Sequence, residues 1–255
     1  MLRKVISILI PKSLLNKLNY VRNTYFLNGF AIKSYSQEGE DMILRNLFQK
    51  QKTGFYIDIG AYHPKLFSNT YFFYRLGWCG INIDAMPNSM KLFNRIRPRD
   101  INIEQSISDK EQTLTYYAFE SSAYNGFSRD LSEHRAGEGI SLKFSKDLKT
   151  ERLETVLDRY LPLNQEIDFL SIDIEGFEYM ALKSCNLEKY KPKIILIEML
   201  KINLSEIEDN KIVKYLKKYG YSIYAKSIHS VFFIQNNHYC TTNMRLRDSH
   251  DVIAR

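Results

Sequence analysis

The chain has 255 residues, of which 44% are hydrophobic and 25% are charged, and its formal net charge is +7. These values are typical of a globular domain that buries a full core and can carry a small appendage, and no low-complexity tract or internal repeat is present. The three cysteines (Cys79, Cys185 and Cys240) form no paired motif, which excludes a disulfide framework and predicts a reducing, cytoplasmic location.

The basic balance raises the question of a nucleic-acid partner. No segment resembles a base-reading helix or an aromatic RNA-binding sheet, so we expect no nucleic-acid binding and a solvated lysine-rich surface instead.

The N-terminal segment, residues 1–34, is basic and is predicted to be helical. Met1–Lys17 mixes lysine and arginine with aliphatic residues, and Pro11 ends an apolar run, Val5–Ile10, that is too short for a signal peptide or a membrane span. Two interpretations stay open. The segment either packs as an amphipathic helix on the domain or on a partner, or makes a peripheral contact at the inner face of the membrane.

The next element, Ser36–Gln49, has the pattern of a helix start. Ser36 is a candidate N-cap, and three acids fill the first turn before an apolar stripe begins. Complementation of the helix dipole accounts for these acids but not for Gln37.

The chain is organised around Phe55–Thr70. An apolar strand, Phe55–Ile59, carries Asp58 and breaks at Gly60. A glycine at this point lets the backbone approach a ligand closely. The following helix, predicted at Ser68–Leu76 with Ser68 or Asn69 as its cap, offers free N–H groups.

A second strand within Gly77–Asp84 ends in an acid. Nucleotide-binding α/β folds place a carboxylate there to bind the ribose hydroxyls. Together, Gly60 and Asp84 therefore predict a half-site for a nucleoside cofactor.

The remaining predicted elements alternate in type. In order they are helix Pro87–Arg97, strand Ile101–Glu104, an added antiparallel strand Thr113–Phe119, helix Leu153–Tyr160, strand Asp168–Ile174, helix Phe177–Ser184, strand Lys193–Met199, helix Ile212–Tyr219 and a hairpin of Tyr221–Ala225 with Val231–Gln235. The stretch Glu120–Thr150 lacks periodicity, and we predict an irregular, mobile lid on the acceptor side. The alternation indicates one doubly wound α/β domain with a mostly parallel sheet over residues 35–240, followed by a polar tail, 241–255.

Acids recur where the predicted strands end, which is where ligands bind in doubly wound sheets. Capping of the next helix explains any single acid, but not their repetition. Along the strand Asp168–Ile174, alternation would place Asp173 and Glu175 on the same side. Two such carboxylates could orient a cofactor amine, bind a divalent cation or take a proton from a hydroxyl, and their repulsion would raise one pKa.

Five stretches jointly resemble the FkbM-type S-adenosylmethionine-dependent methyltransferases. They are SQEGEDMIL, FYIDIGAYHPKLFSNT, GWCGINIDAMPNSMKLF, TERLETVLDRYL and DFLSIDIEGFEYMALKS. The resemblance implies the class I, Rossmann-like methyltransferase fold, a seven-stranded sheet closed by an antiparallel hairpin. It also implies methylation of a hydroxyl, on a sugar of a surface polysaccharide or on a secondary metabolite, so that the partner is a small-molecule or glycan acceptor.

The resemblance assigns roles to individual residues. Contacts to S-adenosylmethionine are implied for Gln37, Asp58, Gly60, Ala61, Tyr62, Asp84, Ala85, Ser106, Ile107 and Asp173. Asp173 is the first candidate for the general base, followed by Glu175 and His63. The turn departs from the common glycine-rich form, since Tyr62, His63 and Pro64 follow Ala61.

Other interpretations stay open. No dedicated metal ligands are predicted, although a magnesium or manganese ion could activate the acceptor at the paired acids. A nicotinamide-dependent oxidoreductase also needs a glycine turn and an acid on the second strand, but it prefers a three-glycine fingerprint. A non-catalytic nucleotide-binding scaffold in a glycan-assembly complex is the third candidate.

Overall fold

The computed structural model describes residues 11–27, 31–121, 124–137 and 139–238. The chain divides into two compact units, Met1–Ser34 and Tyr35–Arg255. The first unit contains helix α1, Lys12–Tyr25, which starts after Pro11 and has no buried residue. No helix within the described ranges is both long enough and apolar enough to span a bilayer. The apolar run Val5–Ile10 and the tail 241–255 lie outside the described residues.

The second unit is built on a seven-stranded sheet. The strands in chain order are β1 Phe55–Ile59, β2 Cys79–Asp84, β3 Ile101–Glu104, β4 Ser106–Ile107, β5 Gln112–Phe119, β6 Leu142–Glu151, β7 Phe169–Ile172, β8 Ile194–Glu198, β9 Tyr221–Lys226 and β10 Ser230–Gln235. The main sheet has the order β3-β2-β1-β7-β8-β10-β9. Its first five strands are parallel, and β10 runs antiparallel to both β8 and β9. The doubly wound α/β fold and the terminal hairpin are therefore confirmed.

Helices cover both faces of this sheet. The second unit contains the helices α2 Glu40–Leu47, α3 Tyr71–Arg75, α4 Met90–Ile96, α5 Arg129–Gly137, α6 Leu153–Tyr160, α7 Glu178–Lys183, α8 Leu187–Tyr190 and α9 Lys211–Lys218. Because both faces are covered, β1 and β7 are buried at every position. Alternate side chains of β1 enter different cores: Ile57 packs on one face and Tyr56 on the other.

A buried ion pair connects the sheet to α4. Arg97 is fully buried, and its Nε donates to Asp100 Oδ2 over 2.7 Å. The guanidinium also donates to Thr70 Oγ1 and to the hydroxyl of Tyr56, which in turn donates to Asp100. A buried charge is tolerated only when it is paired in this way, so the network holds the turn after β1 against β2 and α4.

A second, three-stranded sheet of order β4-β6-β5 forms an insert, defined here as residues 106–151. β5 pairs antiparallel with β6 from Gln112↔Thr150 to Phe119↔Leu142. The added strand at Thr113–Phe119 is thus confirmed, whereas the irregular structure predicted for Glu120–Thr150 is wrong in two places: α5 and β6. The sequence pattern missed β6 because most of its side chains are exposed, and its main support is the backbone ladder with β5.

Several predicted boundaries also shift. α2 begins at Glu40 with Gly39 at the N-cap position, which the prediction gave to Ser36. The Ser36 hydroxyl still accepts the N–H of Asp41 in the first turn at 3.2 Å, and it donates to Asp41 Oδ1. Ser68 does accept the N–H of Tyr71 at the start of α3. β7 ends at Ile172, two residues earlier than predicted.

Candidate functional site

Gly60 joins the ends of three neighbouring strands. Its N–H and that of Ala61 donate to the carbonyl of Ile83 at 2.9 and 3.1 Å, just after β1 turns away from β2. Gly60 has a φ of +81°, and a Cβ at this position would lie 1.6 Å from the carbonyl oxygen of Asp173, which follows β7. Only glycine fits here, because both the conformation and the approach of the two backbones exclude a side chain.

Asp84 is the last residue of β2, and its carboxylate holds the turn that carries Gly60. Its Oδ2 accepts the N–H of Tyr62 at 2.9 Å, and its Oδ1 accepts the N–H of Met86 at 2.8 Å. Burial raises the pKa of Asp84, while the two backbone hydrogen bonds oppose that rise. A carboxylate oxygen can accept two hydrogen bonds, so each oxygen retains acceptor capacity for a ligand hydroxyl.

Three further carboxylates converge beside Gly60. Asp173, Glu175 and Glu198 each place one oxygen within 4.8 Å of the others, and we call this group the acidic cluster. Asp173 and Glu175 come from the turn after β7, and Glu198 ends β8. Glu198 lies within the predicted strand Lys193–Met199, for which no functional residue was predicted.

The geometry of this turn differs from the predicted one. Since β7 ends at Ile172, strand alternation does not bring Asp173 and Glu175 together. The turn instead uses positive φ values, +54° at Glu175 and +102° at Gly176. The Glu178 carboxylate holds it by accepting the N–H groups of Gly176 at 2.8 Å and Ile174 at 3.2 Å.

Two members of the acidic cluster, Asp173 and Glu198, have raised pKa values. Burial, reinforced by the charges of Glu175 and Glu178, raises the pKa of Asp173 to about 8. Burial and the adjacent Asp173 also raise the pKa of Glu198 far above its ordinary value. The Asp173 and Glu198 side chains share a hydrogen bond, so they titrate as a pair.

Asp58 is buried below the turn that carries Gly60 and is not exposed beside the acidic cluster. Its Oδ2 accepts the hydroxyl of Thr70 at 2.8 Å, and Thr70 also accepts from Arg97. Burial raises the pKa of Asp58, and the charge of Arg97 opposes that rise. Its direct role in this structure is to anchor the turn that carries Gly60.

His63 caps its own turn. Its Nδ1 accepts the N–H groups of Lys65 at 3.1 Å and Leu66 at 2.9 Å, so the ring hydrogen is placed on Nε2. Burial, aided by the charge of Lys65, lowers the pKa of His63. With its acceptor nitrogen engaged by the backbone, the imidazole is arranged as a donor rather than as a base.

The other predicted cofactor contacts fall into two groups. Ala61 is buried against Met90 and Phe93 of α4, and Ala85 directly follows Asp84 with partial exposure. Ser106 and Ile107 form β4, and both are nearly fully buried, with the Ile107 side chain in the main core.

Gln37 lies in an exposed position at the same edge of the sheet. Its neighbour Glu38 accepts the backbone N–H of His229, in the turn between β9 and β10. The next residue, Ser230, pairs with Glu198 across β10 and β8. The segment before α2 is thereby held near the acidic cluster.

The insert covers this edge of the sheet. Gly126 pairs with Tyr117 in an isolated bridge, and a Cβ at Gly126 would lie 3.1 Å from the Cβ of Glu175. Asn125 accepts the N–H of Phe119 at 2.8 Å and contacts Met86 Sδ at 3.5 Å. These insert residues were missed, because an Asn-Gly pair in a polar stretch indicates a turn without showing what the turn packs against.

Aromatic side chains continue the contact between the insert and the sheet. Tyr116 and Phe127 have ring centroids 5.1 Å apart, and Phe127 lies 5.6 Å from Phe177 at the start of α7. Burial, together with the charge of Asp84, raises the pKa of Tyr116. The insert therefore forms one wall over the strand ends between β2 and β7.

The donor and acceptor set suits a cationic nucleoside cofactor. Asp84 offers acceptors that suit ribose hydroxyls, the Gly60 turn brings backbone close to the site, and the acidic cluster places three carboxyl groups beside it. The same cluster can accept a proton from an acceptor hydroxyl. A nicotinamide cofactor would find only one glycine in the turn.

Comparison with known proteins agrees with this geometry. No protein in a curated set matches the chain. The family model described as the methyltransferase FkbM domain matches residues 58–223, which span Asp58, the insert and the acidic cluster and exceed half of the chain. The predicted resemblance to this family is thus confirmed, and the chain belongs to the FkbM methyltransferase family.

Proposed function

We propose that this methyltransferase uses S-adenosylmethionine to methylate a hydroxyl group on a sugar or a secondary metabolite. The observation that carries the proposal is the meeting of Asp84 and the acidic cluster at one edge of the sheet. The first group suits a ribose, and the second suits both a positive charge and a proton transfer.

Asp84 and the turn after β1 would bind the cofactor. The carboxylate oxygens of Asp84 would accept the ribose hydroxyls, while Gly60, Ala61 and Tyr62 would line the methionine part. When bound, S-adenosylmethionine supplies an electrophilic methyl group on a sulfonium. Asp58 would support this site from below, through its hydrogen bond to Thr70.

Asp173 would act as the general base. A sugar hydroxyl is a weak nucleophile, so its proton has to leave as the new C–O bond forms. The pKa of Asp173, raised to about 8, lies near a working pH, where a base combines sufficient ionisation with sufficient basicity. Glu198 would hold the shared proton of the pair and leave Asp173 as the acceptor.

The insert would select the acceptor. Its residues Tyr116, Asn125 and Phe127 lie over the strand ends, and they offer both ring faces and hydrogen-bonding groups, as carbohydrate and metabolite sites require.

A divalent cation remains an alternative means of activating the hydroxyl. The three carboxylates of the acidic cluster are the ligand type that magnesium and manganese prefer. If a cation is needed, EDTA abolishes methyl transfer and added magnesium or manganese restores it. If Asp173 works as a base alone, EDTA has no effect.

Calorimetry and a transfer assay test the proposal. We expect S-adenosylhomocysteine to bind and to raise the melting temperature, while NAD does neither. Transfer of labelled methyl groups to a panel of hydroxylated sugars and metabolites would then identify the acceptor class. Stabilisation by NAD alone would favour the oxidoreductase, and cofactor binding without transfer to any acceptor would favour the scaffold.

A further inference from the structure

The positive charge of the chain is concentrated in its first unit. Residues 1–34 contain six lysines and arginines and no acid, which leaves a net charge of only +1 for residues 35–255. The overall charge of +7 is therefore a property of one short segment and not of the methyltransferase domain. A charge segregated in this way points to a negatively charged partner.

Helix α1 presents an apolar stripe that is exposed. Leu14, Leu18, Val21 and Tyr25 follow the spacing of four, three and four residues that places side chains on one side of a helix. Their exposed fractions are 49%, 52%, 39% and 74%. Four apolar side chains in one row are more than the scattered exposure that is usual on a protein surface.

The polar residues of α1 are arranged around this stripe. The helical period places Lys17 on one flank and Arg22 on the other, while Lys12, Asn16, Asn19 and Asn23 occupy the opposite side. A helix with an apolar row, basic flanks and an uncharged or basic back matches the interface between lipid headgroups and acyl chains.

From this arrangement we propose that α1 binds flat on an anionic lipid surface. The stripe enters the boundary of the acyl chains, and Lys17 and Arg22 lie at the level of the phosphates. A nucleic acid would satisfy the charges but would leave the apolar stripe in water. A protein partner would have to supply an apolar groove bordered by acids on both sides. The proposal concerns location and is independent of the proposed reaction.

The experiment is sedimentation of the full-length protein with vesicles. We expect binding to phosphatidylcholine vesicles that contain phosphatidylglycerol, and little binding to phosphatidylcholine alone. The double variant Lys17→Glu/Arg22→Glu should bind roughly tenfold more weakly or worse, because each basic residue near an anionic surface contributes about a fivefold factor. Leu18→Gln/Val21→Gln should also weaken binding, since glutamine keeps the helix but removes the apolar area.

The matched control makes the same change in net charge, but at two positions outside helix α1. Lys50→Glu/Lys218→Glu alters two exposed lysines of the second unit, and it should bind vesicles nearly as well as the natural chain. The proposal is overturned if the natural chain fails to bind anionic vesicles, or if the control loses as much affinity as the helix variant. It is also overturned if RNA binds the chain and displaces it from vesicles, or if Leu18→Gln/Val21→Gln separates a dimer that never binds lipid.

Discussion

Asp84 has a structural role in the fold, and the proposed function gives the same carboxylate a binding role. It positions the turns after β1 and β2 through the N–H groups of Tyr62 and Met86, and it has acceptor capacity left over. Charged acceptors form stronger hydrogen bonds than neutral ones, so the acid is better suited than an amide to holding ribose hydroxyls.

We expect Asp84→Asn to weaken binding of S-adenosylhomocysteine by about 1–3 kcal/mol, through the loss of charge-assisted hydrogen bonds. Isothermal titration calorimetry measures this directly, with circular dichroism to check the fold. Glu188→Gln is the matched control, because Glu188 is an exposed acid of α8. Equal affinity of the Asp84 variant and the natural chain would remove Asp84 from the cofactor site.

Asp173 is the residue on which the proposed chemistry depends. Asp173→Asn keeps the shape of the side chain and removes the base, so turnover should fall by about 10²-fold or more while cofactor affinity changes far less. In the natural protein, the turnover number should rise with pH through the raised pKa of about 8, because Asp173 must be ionised to accept a proton. The variant should lose this rise.

Steady-state and single-turnover kinetics across pH check both statements. Glu188→Gln serves as a control, since Glu188 is an exposed acid of α8. If the Asp173 variant loses cofactor affinity and turnover to the same extent, Asp173 is a cofactor contact and another group is the base.

At the scale of elements, the sequence pattern performed best where strands are buried. β1, which is buried at every position, and the helix α6 have the predicted bounds, because strong apolar and flanking signals leave few alternatives. β6 was missed because its exposed side chains carry no periodic pattern, and its stability depends on pairing with β5. Pairing between distant segments cannot be read from local periodicity.

The strand ends that form the site could be predicted from the sequence, but several of its side-chain contacts could not. Strand-end topology is enough to associate Gly60, Asp84 and Asp173, because the order of a doubly wound sheet brings these ends together. The contribution of Glu198 and the anchoring of the turn by Glu178 depend on side-chain positions in three dimensions. The contact between Gly126 and Glu175 depends likewise on how a separate sheet packs.

The packing of the insert over the strand ends predicts a separable effect on the acceptor. Asn125→Ala removes the acceptor for the N–H of Phe119 and the contact to Met86. We expect a KM for the acceptor raised several-fold, with cofactor affinity close to that of the natural chain, since this side chain belongs to the proposed acceptor wall. Thr115→Ala is the control: its hydroxyl donates to Asp147 on the exposed part of β5 and β6. A rise in KM with both variants would indicate general loosening of the insert.

Hydrogen exchange examines the predicted mobility of the insert. Most side chains of β6 are exposed, so its amides should exchange faster than those of β1 and β7, where every residue is buried. Addition of acceptor and cofactor together should slow this exchange. Strong protection in the free protein would make the insert a fixed wall.

For the whole molecule, the acidic cluster makes the free energy of unfolding depend on pH. Carboxyl groups with raised pKa values in the folded state bind more protons folded than unfolded, at pH values between the ordinary and the raised pKa. In that window the free energy of unfolding falls as pH rises, because unfolding releases protons. The folded protein should therefore be more stable at mildly acidic pH than at alkaline pH, as far as this cluster is concerned.

Glu198→Gln tests this coupling, because the amide removes the titrating group and still offers a donor to Asp173. At pH 5 the variant and the natural chain should have similar free energies of unfolding. At pH 8 to 9 the variant should be more stable, by at least about 1.4 kcal/mol, the equivalent of one pKa unit. Urea unfolding at several pH values measures the difference, and Glu206→Gln, an exposed acid, should show no pH-dependent change. A Glu198 variant that is destabilised equally at every pH would mean that the carboxyl is ionised and paired in the folded protein, so that Asp173 could not share its proton.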